Sequence, residues 1–139
     1  MPEIAKKRPE FRNIHFFSDL PSYRLPPAGI VSILHRISGV LIFILLPFII
    51  WLFDTSVSSE LSFGRFRAAF VSGIGFVPGV LVKLVALALI WAYLHHLCAG
   101  VRFVWLDVNH HSVNREFGCY KSARVVLAVS LVLTVILGA

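Results

Sequence analysis

The sequence has few charged residues and only two cysteines. Charged residues make up 14% of the chain, against about a quarter in average soluble proteins, and hydrophobic residues make up 58%. This composition favours a lipid bilayer as the surroundings of the chain. The cysteines, Cys98 and Cys119, show neither metal-ligand spacing nor a disulfide framework, so we interpret both as small buried apolar residues. The chain therefore has no cysteine set for an iron–sulfur cluster.

Charged residues are absent from three long stretches, 37–53, 84–101 and 125–139. A membrane-spanning helix needs about 17–25 predominantly apolar residues, and the first two stretches reach that length with one flanking turn. The third stretch reaches it only if Lys121 and Arg124 extend their charged ends to the membrane surface. A cleaved signal peptide is a poor alternative for the first stretch, because 36 residues precede it. The sequence thus predicts an all-α integral membrane protein with three transmembrane helices.

Prolines and polar residues set the expected boundaries. Residues 1–26 are predicted to form an extended polar arm, and residues 27–139 a transmembrane domain. The Pro26-Pro27 pair suits a first helical turn, where a missing N–H has no cost, and Pro47 predicts a kink near the far end of the first helix. The predicted helices cover residues of about 28–53, 78–106 and 119–139, joined by a loop at 54–75, with a short amphipathic turn around 63–70, and by a second loop at 107–118.

Lysine and arginine are distributed unevenly between the two sides of the predicted membrane domain. The N-terminal arm with Arg36 carries six, the first loop with Lys83 three, the region 102–124 four, and the C-terminal end none. The positive-inside rule then places the N-terminus and the second loop in the cytoplasm and the C-terminus outside. A net charge of +6 is also found in nucleic-acid-binding proteins, but here the basic residues lie beside apolar spans rather than along a soluble face. No nucleic acid partner is expected.

Three polar residues lie near the cytoplasmic start of the first predicted helix. Ser32, His35 and Arg36 are spaced i, i+3 and i+4, so their side chains share one helical face. A hydroxyl can donate to a carbonyl oxygen, a guanidinium can stabilise charge on that oxygen or pair with a carboxylate, and an imidazole can relay protons. Ionisable groups inside a span indicate function by default. The alternative is that His35 and Arg36 extend to lipid phosphates.

The second predicted helix contains two adjacent histidines, His95 and His96, in an otherwise uncharged stretch. Successive residues point about 100° apart, so this pair cannot close around a single ion. One histidine per helix is instead typical of axial ligation of a haem between helices, with the other ligand supplied elsewhere. Gly100 lies on the same face as His96 and would leave room for a macrocycle edge. A histidine hydrogen-bonded to a neighbouring helix is the alternative.

Two blocks of the sequence carry a family resemblance. The first comprises Arg8-Pro9, residues 23–26 (YRLP) and residues 32–39 (SILHRISG). The second comprises His96, the run Gly100-Val101-Arg102 that begins four residues later, and Asp107. In order and separation, both blocks strongly resemble the motifs of succinate dehydrogenase cytochrome b subunits, the membrane anchors of succinate:quinone oxidoreductase. The resemblance extends over nearly the whole chain.

The resemblance implies a subunit of a larger complex. Its partners would be a flavoprotein that holds FAD, an iron–sulfur protein, and a second membrane anchor that completes a helical bundle of which this chain forms half. Electrons would pass from succinate through flavin and iron–sulfur clusters to ubiquinone, bound where the iron–sulfur protein meets the two anchors. The location would be the bacterial inner (cytoplasmic) membrane, or the mitochondrial inner membrane in a eukaryote. This chain would carry out no succinate chemistry, since it lacks a dinucleotide-binding fold.

The resemblance also implies the site residues, by match to the two motifs. Ser32 would hydrogen-bond the quinone, and Arg36 would line the same pocket. His96 would be one axial ligand of the haem b iron, and the other ligand would come from the second anchor. His35 and Arg36 would lie near the haem propionates. His95 matches no ligand position.

One departure and three alternatives stand beside this interpretation. Phe103 follows the Gly-Val-Arg run where many relatives carry histidine, so a polar contact with the haem edge is not implied there. His110 and His111 have no counterpart in the family pattern and are expected to be solvated or to contact a partner. The alternatives are the anchor of a fumarate reductase, a haem-free structural anchor, and a small transporter or channel. The last predicts polar residues throughout the membrane, whereas here they cluster near one side.

Overall fold

The computed structural model of the protein describes residues 19, 24–109 and 120–138. These residues form five α-helices and no β-strand, which confirms the all-α prediction for the described part of the chain. Most of the predicted arm lies outside the described residues, as do His110, His111 and Cys119. The helices are α1 (Pro27–Ile44), α2 (Leu46–Val57), α3 (Glu60–Val71), α4 (Gly79–Val108) and α5 (Ser122–Gly138).

The first predicted helix consists of two helices, α1 and α2, separated by Leu45. α1 begins at Pro27, whose missing N–H falls in the first turn and needs no partner there. Pro47, in the first turn of α2, cannot donate to the carbonyl of Phe43, and its ring crowds that carbonyl. The helical bonding therefore breaks just before Pro47, in agreement with the predicted kink. α2 then continues to Val57.

The prediction of a loop over residues 54–75 is wrong. α2 occupies its start, and the 12-residue helix α3 occupies Glu60–Val71, where only a short turn was expected. Ser59 caps α3, because its Oγ accepts from the Ser62 N–H at 3.1 Å while its own N–H donates to Ser62 Oγ at 2.8 Å. Reciprocal caps of this kind usually have Glu or Gln in the place of Ser62, so the serines gave little indication of a helix start.

Two glycines with positive φ turn the chain from α3 into α4. Gly73 has a φ of 101° and Gly75 a φ of 59°, a backbone region that other residues rarely adopt. Gly79, the first residue of α4, lies so close to the end of α3 that an added Cβ would be 2.6 Å from the carbonyl oxygen of Phe70. The start of α4 therefore packs directly against the end of α3.

α4 is the central helix of the described structure, and it packs against α1, α3 and α5. Where α1, α4 and α5 meet, a buried cluster is formed by Val31, Ala99, Ala123 and Val126. Small side chains at such a junction let helices approach closely, which is a common mode of packing between helices in membranes. Many large apolar side chains on the outer faces are exposed. This surface suits lipid or a partner subunit better than water.

Two of the described helices, α1 and α4, are long and apolar enough to cross a membrane. The apolar helices α2 and α5 are shorter, with 12 and 17 residues. At about 1.5 Å per residue, α5 measures roughly 25 Å, slightly less than a hydrocarbon core of about 30 Å. Helix length alone therefore identifies two candidate spans, and the third stays a prediction.

Candidate histidine site between α1 and α4

The side chain of His96 on α4 is held by groups on α1. Its Nδ1 lies 3.1 Å from the carbonyl oxygen of His35 and 3.3 Å from Ser38 Oγ. The buried Ser38 hydroxyl donates to the same carbonyl at 2.9 Å, so its oxygen is left to accept from Nδ1. Because both neighbours of Nδ1 act as acceptors, Nδ1 carries the proton of the neutral ring. The lone pair is then on Nε2, which makes no hydrogen bond to the described residues.

The imidazole of His35 lies against that of His96. The two ring centroids are 4.1 Å apart with an interplanar angle of 13°, and the ring of Phe103 lies 5.3 Å from His35 on a tilted plane. His96, Gly100 and Phe103 share one face of α4. Because Gly100 has no side chain, it leaves a gap on this face between the His96 ring and the Phe103 ring. His35 Nε2 reaches over this gap, 3.8 Å from the position of an added Gly100 Cβ. The space expected to admit a macrocycle edge thus borders the His35 ring.

Gly39 on α1 makes the close approach to His96 possible. A Cβ added at Gly39 would lie 2.9 Å from Cε1 and 3.3 Å from Nδ1 of the His96 ring. These distances are shorter than normal contacts, so a larger residue would displace the imidazole. In the sequence, Gly39 was recognised only as part of the family motif, and its role against His96 was missed. Its position four residues after His35, on the same helical face, was the available signal.

A groove with a volume of about 590 Å³ opens beside the two histidines. This volume is within the range of small-molecule sites, about 300–1,000 Å³. Most of its surface is apolar, with the histidine rings among the few polar groups. The groove is lined by His35, His96, Leu97, Gly100, Val101, Val104, Trp105, Val108 and Asn109.

Ser32 and Arg36 lie on α1 but do not line this groove. Ser32 is half-buried and Arg36 is exposed. Within the described residues, neither side chain makes a hydrogen bond or an ion pair. The structure therefore brings His35 and His96 together, whereas Ser32 and Arg36 present uncommitted hydrogen-bond donors on a neighbouring part of α1.

Arg102, a motif residue, connects α4 to the beginning of α5. Its side chain is only 6% exposed, and its Nε donates to Ser122 Oγ at 2.9 Å. The guanidinium carbon also lies 5.7 Å from the centroid of the Phe103 ring. Phe103 therefore contacts both His35 and Arg102, through a ring contact with the first and a cation–π contact with the second.

His95 points away from the groove, into the junction of α1, α4 and α5. It is completely buried, and its Nδ1 lies 3.3 Å from Ser130 Oγ on α5. A histidine bound to a neighbouring helix was the alternative considered for this pair, and the structure places His95 in that role. Of the two adjacent histidines, only His96 faces the groove.

Comparison with known proteins identifies the family. Residues 6–137 match the family described as succinate dehydrogenase/fumarate reductase transmembrane subunit. The chain is similar to the succinate dehydrogenase cytochrome b556 subunit of Coxiella burnetii, with 31% identity over 120 residues that cover 86% of this chain and 90% of that protein. The subunit of the same name from Paracoccus denitrificans is 30% identical over 117 residues, which cover 84% of this chain and 83% of that protein. The one from Rickettsia felis is 25% identical over 108 residues, which cover 78% of this chain and 73% of that protein. The resemblance seen in the sequence is thereby confirmed, and the chain belongs to the family of succinate dehydrogenase/fumarate reductase transmembrane subunits.

Proposed function

We propose that this chain is the cytochrome b anchor subunit of a succinate dehydrogenase, supplying one haem b ligand and part of a quinone-reduction site. The observation that carries the proposal is the geometry of His96, whose Nδ1 is fixed by α1 and whose Nε2 is left for a ligand beside an apolar groove. The names of the three similar bacterial subunits support succinate oxidation. The anchor of a fumarate reductase is the alternative within the same family.

The His96 environment fits an axial haem ligand. Ligating histidines usually donate their second ring N–H to a carbonyl or carboxylate, which fixes the tautomer and raises the basicity of the ligating nitrogen. The His35 carbonyl has this role here. Haem b, when bound, supplies a one-electron redox centre within the membrane. The apolar residues of the groove would limit access of water once the partner anchor covers it, and Arg36 would supply a cation for the propionates.

The second axial ligand would come from another chain. His35 is the only other histidine that lines the groove within the described residues, and its ring is stacked on that of His96 at 4.1 Å. Because these two rings are stacked on each other, His35 and His96 would not hold the haem iron between them. A histidine of the second membrane anchor would therefore complete the coordination. The groove between α1 and α4 would then form half of a site that closes when the two anchors pack together.

Ser32 and Arg36 would serve quinone reduction. Quinone gains negative charge on its carbonyl oxygens as it is reduced, and donors already in place stabilise that charge best where water is excluded. Ser32 would donate to one carbonyl oxygen, and Arg36 would stabilise its charge and line the same pocket. Both side chains are uncommitted within the described residues, which favours this role. The electrons would arrive through FAD and iron–sulfur clusters in the flavoprotein and iron–sulfur partners.

The arrangement in the membrane follows from helix length and charge. α1 with α2, α4 and α5 would form three spans, with the N-terminal arm and the 107–118 region in the cytoplasm and the C-terminus outside. α5 is slightly short for a complete span, and Arg124 in its first turn would lie at the cytoplasmic surface. α3 would then lie at the outer surface. The membrane would be the bacterial inner membrane, and the soluble partners would bind on its cytoplasmic side.

Loss of Ser32 or Arg36 is expected to separate two activities of the complex. In Ser32→Ala and Arg36→Leu, electron transfer from succinate to quinone should fall by about 10- to 100-fold, the equivalent of one hydrogen bond to a charged group. Reduction of a soluble dye by succinate should remain near the wild-type rate, because the flavin and clusters are in other subunits. Both activities are measured on the same purified complex.

Two exposed residues near the other end of the first span provide matched controls. Ser58→Ala and Arg65→Leu remove the same chemical groups from the α2–α3 region, far along the chain from Ser32 and Arg36. Neither control should change either activity. Equal loss of quinone and dye reduction in Ser32→Ala and Arg36→Leu would contradict the proposed roles and indicate impaired assembly instead.

A further inference from the structure

His95 is the largest side chain that is completely buried within the described residues. It lies where α1, α4 and α5 meet, and it has no part in the proposed haem or quinone chemistry. We propose that His95 is a positioning residue: its contact with Ser130 fixes the rotation of α4 and thereby the direction in which His96 presents Nε2. This inference rests on the proposed role of His96 as a haem ligand.

The surroundings of His95 hold its ring on several sides. Its Nδ1 lies 3.3 Å from Ser130 Oγ, and its ring is stacked on that of Trp91 with centroids 5.3 Å apart and an interplanar angle of 22°. The ring also lies beside the backbone of Val31 on α1. One side chain of α4 therefore contacts both neighbouring helices, α1 and α5.

Ser130 is itself fixed on α5. Its hydroxyl lies 3.2 Å from the carbonyl oxygen of Leu127 and donates to it, which fixes the position of Oγ on the helix. Ser130 and Thr134 are both buried. The partner of His95 is therefore a rigid point on α5.

The polar contact is better explained by orientation than by stability. His95 Nε2 is buried, with the Val31 backbone as the polar neighbour of the ring on α1, and it makes no hydrogen bond of normal geometry to the described residues, which costs free energy. A well-packed apolar residue would avoid that cost, and replacing buried polar pairs by apolar ones is often neutral or stabilising. What an apolar residue cannot supply is a directional contact that selects one rotation of α4 against α5. Fixing the register of packed helices is the best-attested use of such buried polar groups.

Rotation of α4 is coupled directly to the ligand. His95 and His96 are consecutive and point about 100° apart on α4. The side chain of His95 contacts Ser130 on α5, and that of His96 contacts α1. Side chains extend about 5–6 Å from the helix axis, so a rotation of roughly 10° moves the His96 ring by on the order of 1 Å. A functional group usually has to be held within about 0.5 Å of its productive position. The contact between His95 and Ser130 is therefore expected to determine ligand geometry.

Electron paramagnetic resonance of the oxidised, intact complex tests this inference, because the g values of low-spin haem depend on the orientation of the axial imidazoles. His95→Phe keeps a ring against Trp91 but loses the polar contact, and Ser130→Ala removes the contact from the α5 side. Both variants should shift or broaden the low-field g signal. The double variant should shift it no further than either single variant, since the two residues act through one contact.

Two further variants separate positioning from general packing. His95→Asn places an amide nitrogen close to the position of Nδ1, so it should restore the wild-type g value in part. Thr134→Ala removes a buried hydroxyl one turn further along α5. That hydroxyl bonds the Ser130 carbonyl but neither Ser130 Oγ nor His95, so the variant should leave the spectrum unchanged. If His95→Phe prevents assembly, Ser130→Ala with its Thr134→Ala control carries the test.

The outcomes distinguish this inference from the proposed function. Suppose that haem is present and depends on His96. Wild-type g values in both His95→Phe and Ser130→Ala, as assembled complexes, would then overturn the positioning role alone. Equal shifts in Ser130→Ala and Thr134→Ala would also overturn it, because the effect would then follow from the packing of α5. Absence of a haem signal in the wild-type complex would overturn the proposed function instead.

Discussion

Replacement of His96 by alanine is expected to leave the purified complex without haem b at this site. Alanine removes Nε2, the nitrogen that the structure leaves available beside the groove. Changes in the partners of a ligand typically cost about 10- to 100-fold in metal affinity, and loss of the ligand itself is expected to cost more. The haem content per complex, measured from the difference between reduced and oxidised absorption spectra, gives the result directly.

The same helix supplies a control for this variant. Cys98 lies two residues from His96, is half-buried, and does not line the groove, so Cys98→Ala should retain its haem. Addition of imidazole to the His96→Ala complex should restore part of the haem spectrum, because the small molecule can occupy the vacated space. A His96→Ala complex with wild-type haem content would show that the ligand is another residue.

Gly39→Ala is expected to lower haem affinity by about 10-fold or more, although residue 39 would not touch the haem iron. The added Cβ would be 2.9 Å from His96 Cε1, and the closely packed ring would have to move. Movement of the ring breaks the contact between Nδ1 and the His35 carbonyl, so the orientation of Nε2 is no longer fixed. Haem titration of the purified complex, after removal of its haem, measures the change in affinity.

Gly29→Ala on the same helix is the matched control. There an added Cβ would meet only the ring of Pro26 and the Leu25 side chain, at ordinary contact distances of 3.7 to 3.8 Å. Both variants add one methyl group to a glycine of α1, so a difference in haem affinity between them reports the contact at Gly39. Unchanged haem affinity in Gly39→Ala would mean that the packing of His96 against α1 does not control ligation.

Several features of the fold were predictable because they depend on local sequence. The uncharged stretches 37–53 and 84–101 indicated α1 with α2 and most of α4, and Pro47 indicated the break between α1 and α2. α3 was missed because its cap uses a pair of serines, Ser59 and Ser62, in a segment rich in loop-forming residues. Its position also depends on the close packing of Gly79 against the end of α3, which local sequence does not reveal.

The candidate site was predictable only where it depends on local sequence. The adjacent histidines indicated that one could be a ligand and the other a packing residue, and the structure places only His96 in the groove. The functions of Ser38 and Gly39 depend on the register between α1 and α4, which a single sequence does not specify. The stacking of His35 on His96 is likewise a tertiary contact. The roles of Ser32 and Arg36 toward quinone stay predictions.

Near-infrared magnetic circular dichroism of the oxidised complex tests the central claim most directly, because the position of its charge-transfer band identifies the pair of axial ligands. If His96 is a ligand, the wild-type complex shows a band typical of two imidazoles, and His96→Met shifts it to a band typical of imidazole with thioether. An identical band in both complexes, or no haem band in the wild type, would contradict the assignment of His96.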